Sequence, residues 1–380
     1  MRRASDADRV RLNDTFAELC RIESPSGRER ACADRVSEEL RGLGLVVEED
    51  GAGAEVGSDA GNLLARVPGG RPQSILLCAH HDTVPPLAPI EPVVVDGGWE
   101  NAEEGILGAD NKAAIAVIIE LARRFAARGE RPPVGLELLF TVSEENGLRG
   151  AKAFDAARLS SEFGYVFDHA SPIGGIVVAA PTYDKIVAVL HGRAAHAGIR
   201  PEEGRSAIAA AARAIAAMRL GRLDEHTTAN VGTIAGGTAT NVVPERCRLD
   251  AEVRGLDDDR VAEVVTEIVD HLTDAANGAE CDLDVTVERQ FQGYRSKPGA
   301  PHIVAAARAL ENCGYEPHHL VTGGGSDANA FQSAGLPCAN LADGTERNHE
   351  PGERISIDAL EGMLEVAIAL LDAAAEVVSS

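Results

Sequence analysis

The chain has 380 residues, of which 44% are hydrophobic, and its 36 basic and 60 acidic residues give a formal charge of −24. This length allows two or three compact units, and the negative charge, which is spread along the chain, disfavours nucleic acid and anionic membranes as partners. No apolar stretch reaches the roughly 20 residues that a membrane-spanning helix needs. The seven cysteines are odd in number, scattered and never spaced as Cys-x-x-Cys, which predicts reduced thiols and a cytoplasmic location.

In chain order, the first part of the sequence alternates short apolar runs with longer amphipathic ones. Strands are predicted at 74–79, 134–142 and 163–167, and a helix is predicted at 111–127. Alternation of this kind is typical of a mostly parallel sheet flanked by helices, which makes the predicted fold class α/β.

From residue 183 the pattern changes to strand, helix, strand, strand, helix and strand. The predicted elements are 185–190, 204–220, 230–235, 248–254, 258–275 and 281–287. This is the order of an α+β ferredoxin-like unit. The segment 292–301, rich in Gly, Pro and polar residues, is typical of a linker, and the α/β pattern resumes after it. We therefore predict a main domain of residues 1–182 and 296–380, with a ferredoxin-like domain of residues 183–295 inserted into it.

Four apolar runs in the main domain are each followed by residues that bind metals or transfer protons. These residues are His80-His81-Asp82, Ser143-Glu144-Glu145, Asp168-His169 and, at a greater distance, His349. The carboxyl ends of the strands in an open α/β sheet form the ligand crevice, so these side chains are expected to converge. One such ending would indicate only a cap or a solvated turn, whereas four together indicate a functional site.

Each motif also has a plainer interpretation. His80 and Asp82 lie two apart, so on a continuing strand they share a face and the carboxylate can hold the imidazole, but they could also form a surface pair. Asp110 lies at the start of the predicted helix and could simply cap it. Glu144 and Glu145 are adjacent like charges; forced into one crevice, they would need a cation, or one of them would have a raised pKa that suits a general base.

The types of the candidate residues indicate the metal. His, Asp and Glu without Cys suit zinc, cobalt or manganese, and a carboxylate shared between ions holds two metals about 3.5–4 Å apart. The sequence contains no His-Glu-x-x-His, which excludes the one-zinc helical motif. A dispersed site for two ions is therefore predicted.

Together these motifs resemble those of the di-zinc metallopeptidase family that includes peptidase T, aminoacylases, glutamate carboxypeptidases and succinyl-diaminopimelate desuccinylase. The matching segments are 80–85, 107–113, 144–151, 167–168, 192–198, 236–244 and 349–353. The Leu-Gly-Ala-Asp-Asn-Lys form at 107–112 and the Gly-Gly-Gly-Ser-Asp-Ala form at 323–328 are most similar to the peptidase T-like branch. The ordered set is far more specific than any one motif.

The resemblance implies how the metal ligands are divided between two ions. His80 and Asp168 would bind one ion, Glu145 and His349 would bind the other, and Asp110 would bridge them. The ions would lower the pKa of a water molecule and stabilise the tetrahedral oxyanion.

The resemblance also implies the roles of the remaining site residues. Glu144 would activate the metal-bridging water and pass its proton to the departing amine, while Asp82 would orient the imidazole of the first ligand. His196 would reach the active site of a partner subunit, and Asn241 and Arg254 would bind substrate oxygens, which implies a homodimer formed through the inserted domain. Without the resemblance, His196 indicates only a polar turn and Arg254 a surface salt bridge.

The leading prediction is a dimeric aminopeptidase that cleaves di- or tripeptides with two zinc ions, or with cobalt or manganese. A deacylase or carboxypeptidase-type amidohydrolase acting on N-acyl amino acids is the alternative. Gly323 counts against recognition of a free peptide C-terminus. Tripeptidases commonly carry at this place an arginine that could bind the terminal carboxylate through two hydrogen bonds. A nucleotide-binding protein is disfavoured because the glycine-rich segment 51–57 misses the Gly-x-Gly-x-x-Gly spacing. A scaffold derived from a dead enzyme is also disfavoured, since every ligand position and the base are intact.

Overall fold

The computed structural model describes residues 3–126 and 129–378, and the chain forms two compact units. One unit comprises Met1–Ala179 and Arg295–Ser380, and the other is Ala180–Tyr294. The last residue of the helix predicted at 111–127 lies outside the described residues. Each unit has its own hydrophobic core.

The larger unit is built on a nine-stranded sheet. Its strands are β1 (Val47–Glu49), β2 (Leu63–Val67), β3 (Ser74–His80), β6 (Gly135–Thr141), β7 (Ser161–His169), β8 (Gly175–Ala180), β14 (Tyr294–Arg295), β15 (His318–Val321) and β16 (Cys338–Ala342). The order is β1-β2-β6-β3-β7-β16-β8-β14, and β15 pairs with β8. A separate four-stranded sheet has the order β17-β18-β5-β4. It consists of β4 (Pro92–Val95), β5 (Gly98–Asn101), β17 (Thr345–Glu346) and β18 (Arg354–Ser356).

The central strands of the large sheet run parallel. β3 pairs in parallel with both β6 and β7, and β16 pairs in parallel with β7. All seven residues of β3 and all seven of β6 are buried, as expected for parallel strands that are covered on both faces. The predicted mostly parallel sheet flanked by helices is confirmed, and the carboxyl ends of these four strands share one edge.

Within its described residues, the larger unit contains eight α-helices. They are α1 (Asp6–Cys20), α2 (Arg30–Gly42), α3 (Ala52–Val56), α4 (Ala109–Ala126), α5 (Arg149–Ala153), α8 (Pro301–Cys313), α9 (Asp327–Ser333) and α10 (Ile357–Val377). Helix α4 is buried along nearly its whole length and packs against α1 and α10. Asp110 and Asn111 at its start have non-helical backbone angles, so regular helix begins after them. The glycine-rich segment 51–57 contains the short helix α3, which Gly57 ends with a φ of 81°.

The smaller unit has the predicted ferredoxin-like order with one short additional strand. Its elements are β9 (Thr182–His191), α6 (Ala207–Ala217), β10 (Gly221–Arg222), β11 (Thr228–Gly236), β12 (Arg246–Gly255), α7 (Asp258–Gly278) and β13 (Asp282–Phe291). The antiparallel sheet has the order β10-β11-β12-β9-β13. Strand β9 alternates buried and half-buried residues, because one face covers the core with α6 and α7.

Two further observations concern the environment of the chain. Among residues 3–126 and 129–378, no helix combines the length and the apolar character that crossing a membrane requires. All seven cysteines are free thiols, and six of them are buried.

Candidate metal centre

The predicted site residues follow the carboxyl ends of the parallel strands. His80 is the last residue of β3, and Asp168 is the penultimate residue of β7. Glu144 and Glu145 lie in the turn after β6, and His349 lies between β17 and β18. Parallel strands therefore deliver the side chains of residues 80, 144, 145 and 168 to a common edge of the sheet, whereas His349 comes from the loop between two strands of the separate four-stranded sheet.

The five predicted metal ligands lie in one cluster centred on Asp110. One oxygen of Asp110, Oδ1, lies 3.1 Å from His80 Nε2, which is also 3.5 Å from Asp168 Oδ1. The other oxygen, Oδ2, lies 3.1 Å from His349 Nε2, which is also 2.9 Å from Glu145 Oε1. The two oxygens of Asp110 thus face two different groups of ligands.

The donor atoms are close enough to hold cations. In each of two triads, one atom per residue lies within 4.8 Å of the others: His80 with Asp110 and Asp168, and Asp110 with Glu145 and His349. Imidazole nitrogens and carboxylate oxygens are ligands for zinc and related divalent ions. The residues present therefore fit one divalent cation on each side of Asp110.

The electrostatics of the cluster favour the same conclusion. Burial raises the pKa of Asp168 well above its usual range, and the nearby charge of Asp110 raises it further. Burial also raises the pKa of Glu145, although a hydrogen bond from His349 opposes this effect. Burial works against ionisation of Asp110 as well, but hydrogen bonds from His349 and His80 outweigh it and hold its pKa below the ordinary value. Carboxylates crowded in a buried site gain stability from added positive charge.

Glu144, the predicted base, is also buried beside several carboxylates, and one of its oxygens lies within 4.8 Å of donor atoms of His80 and Glu145. Burial is the main reason that its pKa lies well above the usual range, and the charges of Asp168, Glu145 and Asp327 add to the effect. A carboxyl group that takes up a proton readily is suited to general base and then general acid catalysis.

The carboxylate of Asp82 makes several contacts that are shorter than the predicted one with His80. Its carboxylate accepts hydrogen bonds from the backbone N–H of Glu144 at 2.9 Å, from that of Glu145 at 3.1 Å and from the Ser26 hydroxyl at 2.6 Å. The Nδ1 atom of His80 lies 2.8 Å from the backbone oxygen of Asp82 but 3.5 Å from its carboxylate. Spacing of two residues predicts a shared face, but it carries no information on the N–H donors of a distant turn that compete for the carboxylate.

Two asparagines that the sequence interpretation did not single out hold Asp168, one of the predicted ligands. Asn340 accepts from the backbone N–H of Asp168 at 2.9 Å and donates to its backbone oxygen at 3.0 Å. Asn111 donates to Asp168 Oδ1 at 3.0 Å and to the backbone oxygen of Phe167 at 2.7 Å. Asn111 could have been found, because it lies next to Asp110 inside a recognised motif, whereas Asn340 lies within an apolar strand and has no comparable signal.

Buried glutamates hold two of the turns that carry site residues. Glu29 accepts from the backbone N–H and the hydroxyl of Ser143, both at 3.1 Å, next to the predicted base. Glu353 accepts from backbone N–H groups of the turn that carries Asp110. Glu29 lies more than a hundred residues from its partner and outside the motifs, so the sequence alone gave no signal for it.

The three predicted substrate-binding residues all lie in the smaller unit, but not together. His196 and Asn241 occupy neighbouring exposed loops, in which the N–H of Ala197 donates to the backbone oxygen of Asn241 at 2.9 Å. These loops follow β9 and precede β12. Arg254 lies near the opposite end of β12, where it is paired with Glu252 and its guanidinium carbon lies 4.3 Å from the centre of the Tyr183 ring.

Comparison with known proteins identifies relatives over the whole chain. Residues 185–280 match the peptidase dimerisation domain of the M20 family, and residues 62–171 match peptidase family M28. The aminopeptidase PepT of Bacillus cereus is 36% identical, with 97% of this chain and 99% of that chain covered and a TM-score of 0.86. A tripeptidase of Staphylococcus aureus is 34% identical, with the same coverage and a TM-score of 0.90. The protein YqjE of Bacillus subtilis is 36% identical over 96% of this chain and 99% of its own length.

The fold, the cluster of histidines and carboxylates that could hold metal ions and the match to peptidase relatives define a metallopeptidase. The chain belongs to the M20 family, in its peptidase T-like branch.

The contacts of Asp82 generate a prediction. Asp82→Asn keeps the shape of the side chain but replaces one acceptor oxygen with an amide group that cannot accept from the Glu144–Glu145 turn. Because loss of a group that orients metal ligands typically costs about 10- to 100-fold in activity, we expect a fall of this order in kcat for peptide hydrolysis.

A matched control is Asp257→Asn, which changes a carboxylate that also accepts from two backbone N–H groups, at 2.9 and 3.2 Å, but caps α7 in the smaller unit. Both variants are first checked for an unchanged melting temperature, and steady-state rates are then compared. An Asp82→Asn enzyme as fast as the Asp257→Asn enzyme would contradict the assigned role.

Proposed function

We propose that this protein is an aminopeptidase that removes the N-terminal residue from di- and tripeptides with the help of two divalent metal ions. The observation that carries the proposal is the position of Asp110, whose two carboxylate oxygens face His80 on one side and His349 on the other at 3.1 Å. A carboxylate presented in this way is suited to bridging two cations.

The proposed ligand sets follow from the same geometry. His80 and Asp168 would hold one ion, Glu145 and His349 would hold the other, and Asp110 would contact both. Zinc is the proposed metal, because imidazole and carboxylate together suit it, and cobalt or manganese would be accepted by the same donors. When bound, the ions would polarise the carbonyl of the substrate and lower the pKa of water in the site.

Glu144 is proposed to move the proton in the reaction. Its pKa, raised chiefly by burial, supports uptake of a proton from the attacking water and its later transfer to the nitrogen of the departing amine. The carboxylate of Asp82 fixes the backbone of Glu144 and Glu145 at once, so the base and one metal ligand keep a constant relation. This arrangement supports a base whose position is set before substrate binds.

The preference for a free amino end is supported by the relatives, of which one is an aminopeptidase and another a tripeptidase. A second candidate is a hydrolase of N-acyl amino acids, and one observation favours it. Gly323 lies in an exposed loop and offers no side chain to bind a substrate carboxylate at the place where tripeptidases commonly carry arginine.

The smaller unit, predicted as a domain of residues 183–295, is proposed to form a homodimer that completes the active site. His196 and Asn241 adjoin one end of the sheet, while Arg254 lies eight positions along β12 from Arg246, roughly 26 Å away at the usual rise per residue. A tripeptide spans only about 10 Å when extended. One copy of the unit therefore cannot offer all three residues to one short peptide, whereas two copies related by symmetry could share them.

A cytoplasmic location is part of the proposal. It is supported by the seven free thiols, since reduced cysteines persist in compartments that keep glutathione and thioredoxin reduced.

The substrate class can be tested directly. Protein treated with a chelator and then supplied with zinc, cobalt or manganese should hydrolyse trialanine. The product, free alanine, is measured by chromatography after labelling of its amino group. N-acetyl-trialanine should be cleaved much more slowly, because its amino end is blocked, and trialanine amide tests whether a free carboxylate is needed. Cleavage of the acetylated peptide alone would favour the N-acyl hydrolase, and no metal-dependent cleavage of any of the three would contradict both candidates.

Sharing of the active site can be tested by mixing two inactive variants. Glu144→Ala should bind metal but lose turnover by about 100- to 10,000-fold, which is the usual contribution of a general base. His196→Ala should also be strongly impaired. If each site combines Glu144 of one subunit with His196 of the other, a co-expressed mixture should recover about a quarter of wild-type activity, because half of the dimers would contain one intact site.

The matched control is His191→Ala, which changes another partly exposed histidine of the smaller unit, paired with Asp284 at 2.9 Å. This variant should retain activity. Absence of recovery in co-purified mixed dimers would argue against a shared site.

A further inference from the structure

Glu353 is a buried carboxylate that lies outside the proposed set of ligands and base. Only 1% of its surface is exposed, and its two oxygens accept three backbone hydrogen bonds. Oε2 accepts from the N–H of Leu107 at 2.9 Å and of Gly108 at 2.8 Å, and Oε1 accepts from the N–H of Asp110 at 2.9 Å. One side chain thus holds the whole turn that presents the proposed bridging ligand.

The segment that contains Glu353 contacts Asp110 from two directions. Asn348 Nδ2 lies 3.0 Å, and His349 Nε2 3.1 Å, from Asp110 Oδ2. Glu353 holds the backbone of the same aspartate. Residues 348–353 therefore contact both the carboxylate and the N–H of Asp110, so the positions of the two proposed ligands Asp110 and His349 are linked.

Most of the rest of this segment is exposed to solvent. The side chain of His349 is 49% exposed, its φ is 66°, and residues 350–352 are exposed as well. One further backbone bond runs within the segment, from the N–H of Glu353 to the oxygen of Glu350 at 3.1 Å, and a longer one of 3.4 Å joins the N–H of Gly352 to the backbone oxygen of Gly105. The buried carboxylate of Glu353 is the anchor that ties this exposed loop to the interior.

We propose that Glu353 is a positioning residue that fixes His349 relative to Asp110 and thereby sets the affinity for the metal ion on the His349 side of the centre. This inference rests on the proposed two-metal function. The ion on the other side shares only Asp110 with this segment and depends on Glu353 less, because its other two proposed ligands, His80 and Asp168, are held by their own strands and by contacts with Asp82, Asn340 and Asn111.

The test is a titration of chelator-treated protein with Co²⁺, followed by calorimetry and by the visible absorption of the bound ion. Wild-type protein should bind two ions, and His349→Ala identifies which event belongs to the His349 side. In Glu353→Ala that event should weaken by about 10- to 100-fold, as is typical when a partner that orients a ligand is removed, while the other event, which shares only Asp110 with the segment, weakens by a clearly smaller factor. The affinity of Glu353→Gln on the His349 side should lie between those of wild type and Glu353→Ala, because its single side-chain oxygen can accept only some of the three hydrogen bonds.

The matched control is Glu350→Gln, which changes an exposed glutamate three residues away in the same segment and should behave as wild type. Melting temperatures are measured in parallel, and if Glu353→Ala fails to fold, Glu353→Gln decides the result. Wild-type affinity at both sites in the glutamine variant, or equal weakening at both sites, would overturn the inference. A wild-type protein that binds fewer than two Co²⁺ ions would instead refute the proposed metal centre on which the inference rests.

Discussion

Repulsion among buried carboxylates is the constraint on which this site depends. Asp110, Glu144, Glu145 and Asp168 lie close together at the carboxyl edge of the sheet, with little solvent to screen their charges. Such an arrangement is costly unless positive charge offsets it. The side chains of His80 and His349 contact Asp110 from opposite sides. Two divalent cations held by the same donor atoms would supply the positive charge that these carboxylates need.

The protein holds these repelling groups in place mainly through their backbones. Asp82 accepts from the turn of the two glutamates, Glu353 from the turn of Asp110, and Asn340 brackets the backbone of Asp168. Binding the backbone leaves the carboxylate oxygens of the ligands available. A rigid frame of this kind fits catalysis that relies on groups aligned before the reaction begins.

Many of the strands and helices could be predicted from the sequence, because they depend on local patterns of apolar and polar residues. The strand predicted at 74–79 is Ser74–His80, and the helix predicted at 258–275 is Asp258–Gly278. The first is a continuous apolar run, and the second is a long amphipathic run with the period of a helix. The two-residue strand Gly221–Arg222 was missed, because two exposed residues form no pattern. Convergence of the four strand endings followed from the rule that parallel strands expose their carboxyl ends at one edge.

The contacts that hold the site could not be predicted in the same way. Whether Asp82 would bind His80 or the Glu144 turn depends on the distance between chain segments more than fifty residues apart, which spacing does not encode. Glu29 likewise reaches a turn far along the chain. The separation of Arg254 from His196 follows from the length and register of β12, which become known only once the pairing of the sheet is known.

The most direct test of the central claim is anomalous diffraction from crystals grown with zinc or cobalt, with data collected on both sides of the metal absorption edge. Two peaks about 3.5–4 Å apart are expected, one on each side of the Asp110 carboxylate, with His80 and Asp168 beside one and Glu145 and His349 beside the other. A single peak, or peaks that lie away from Asp110, would contradict the account.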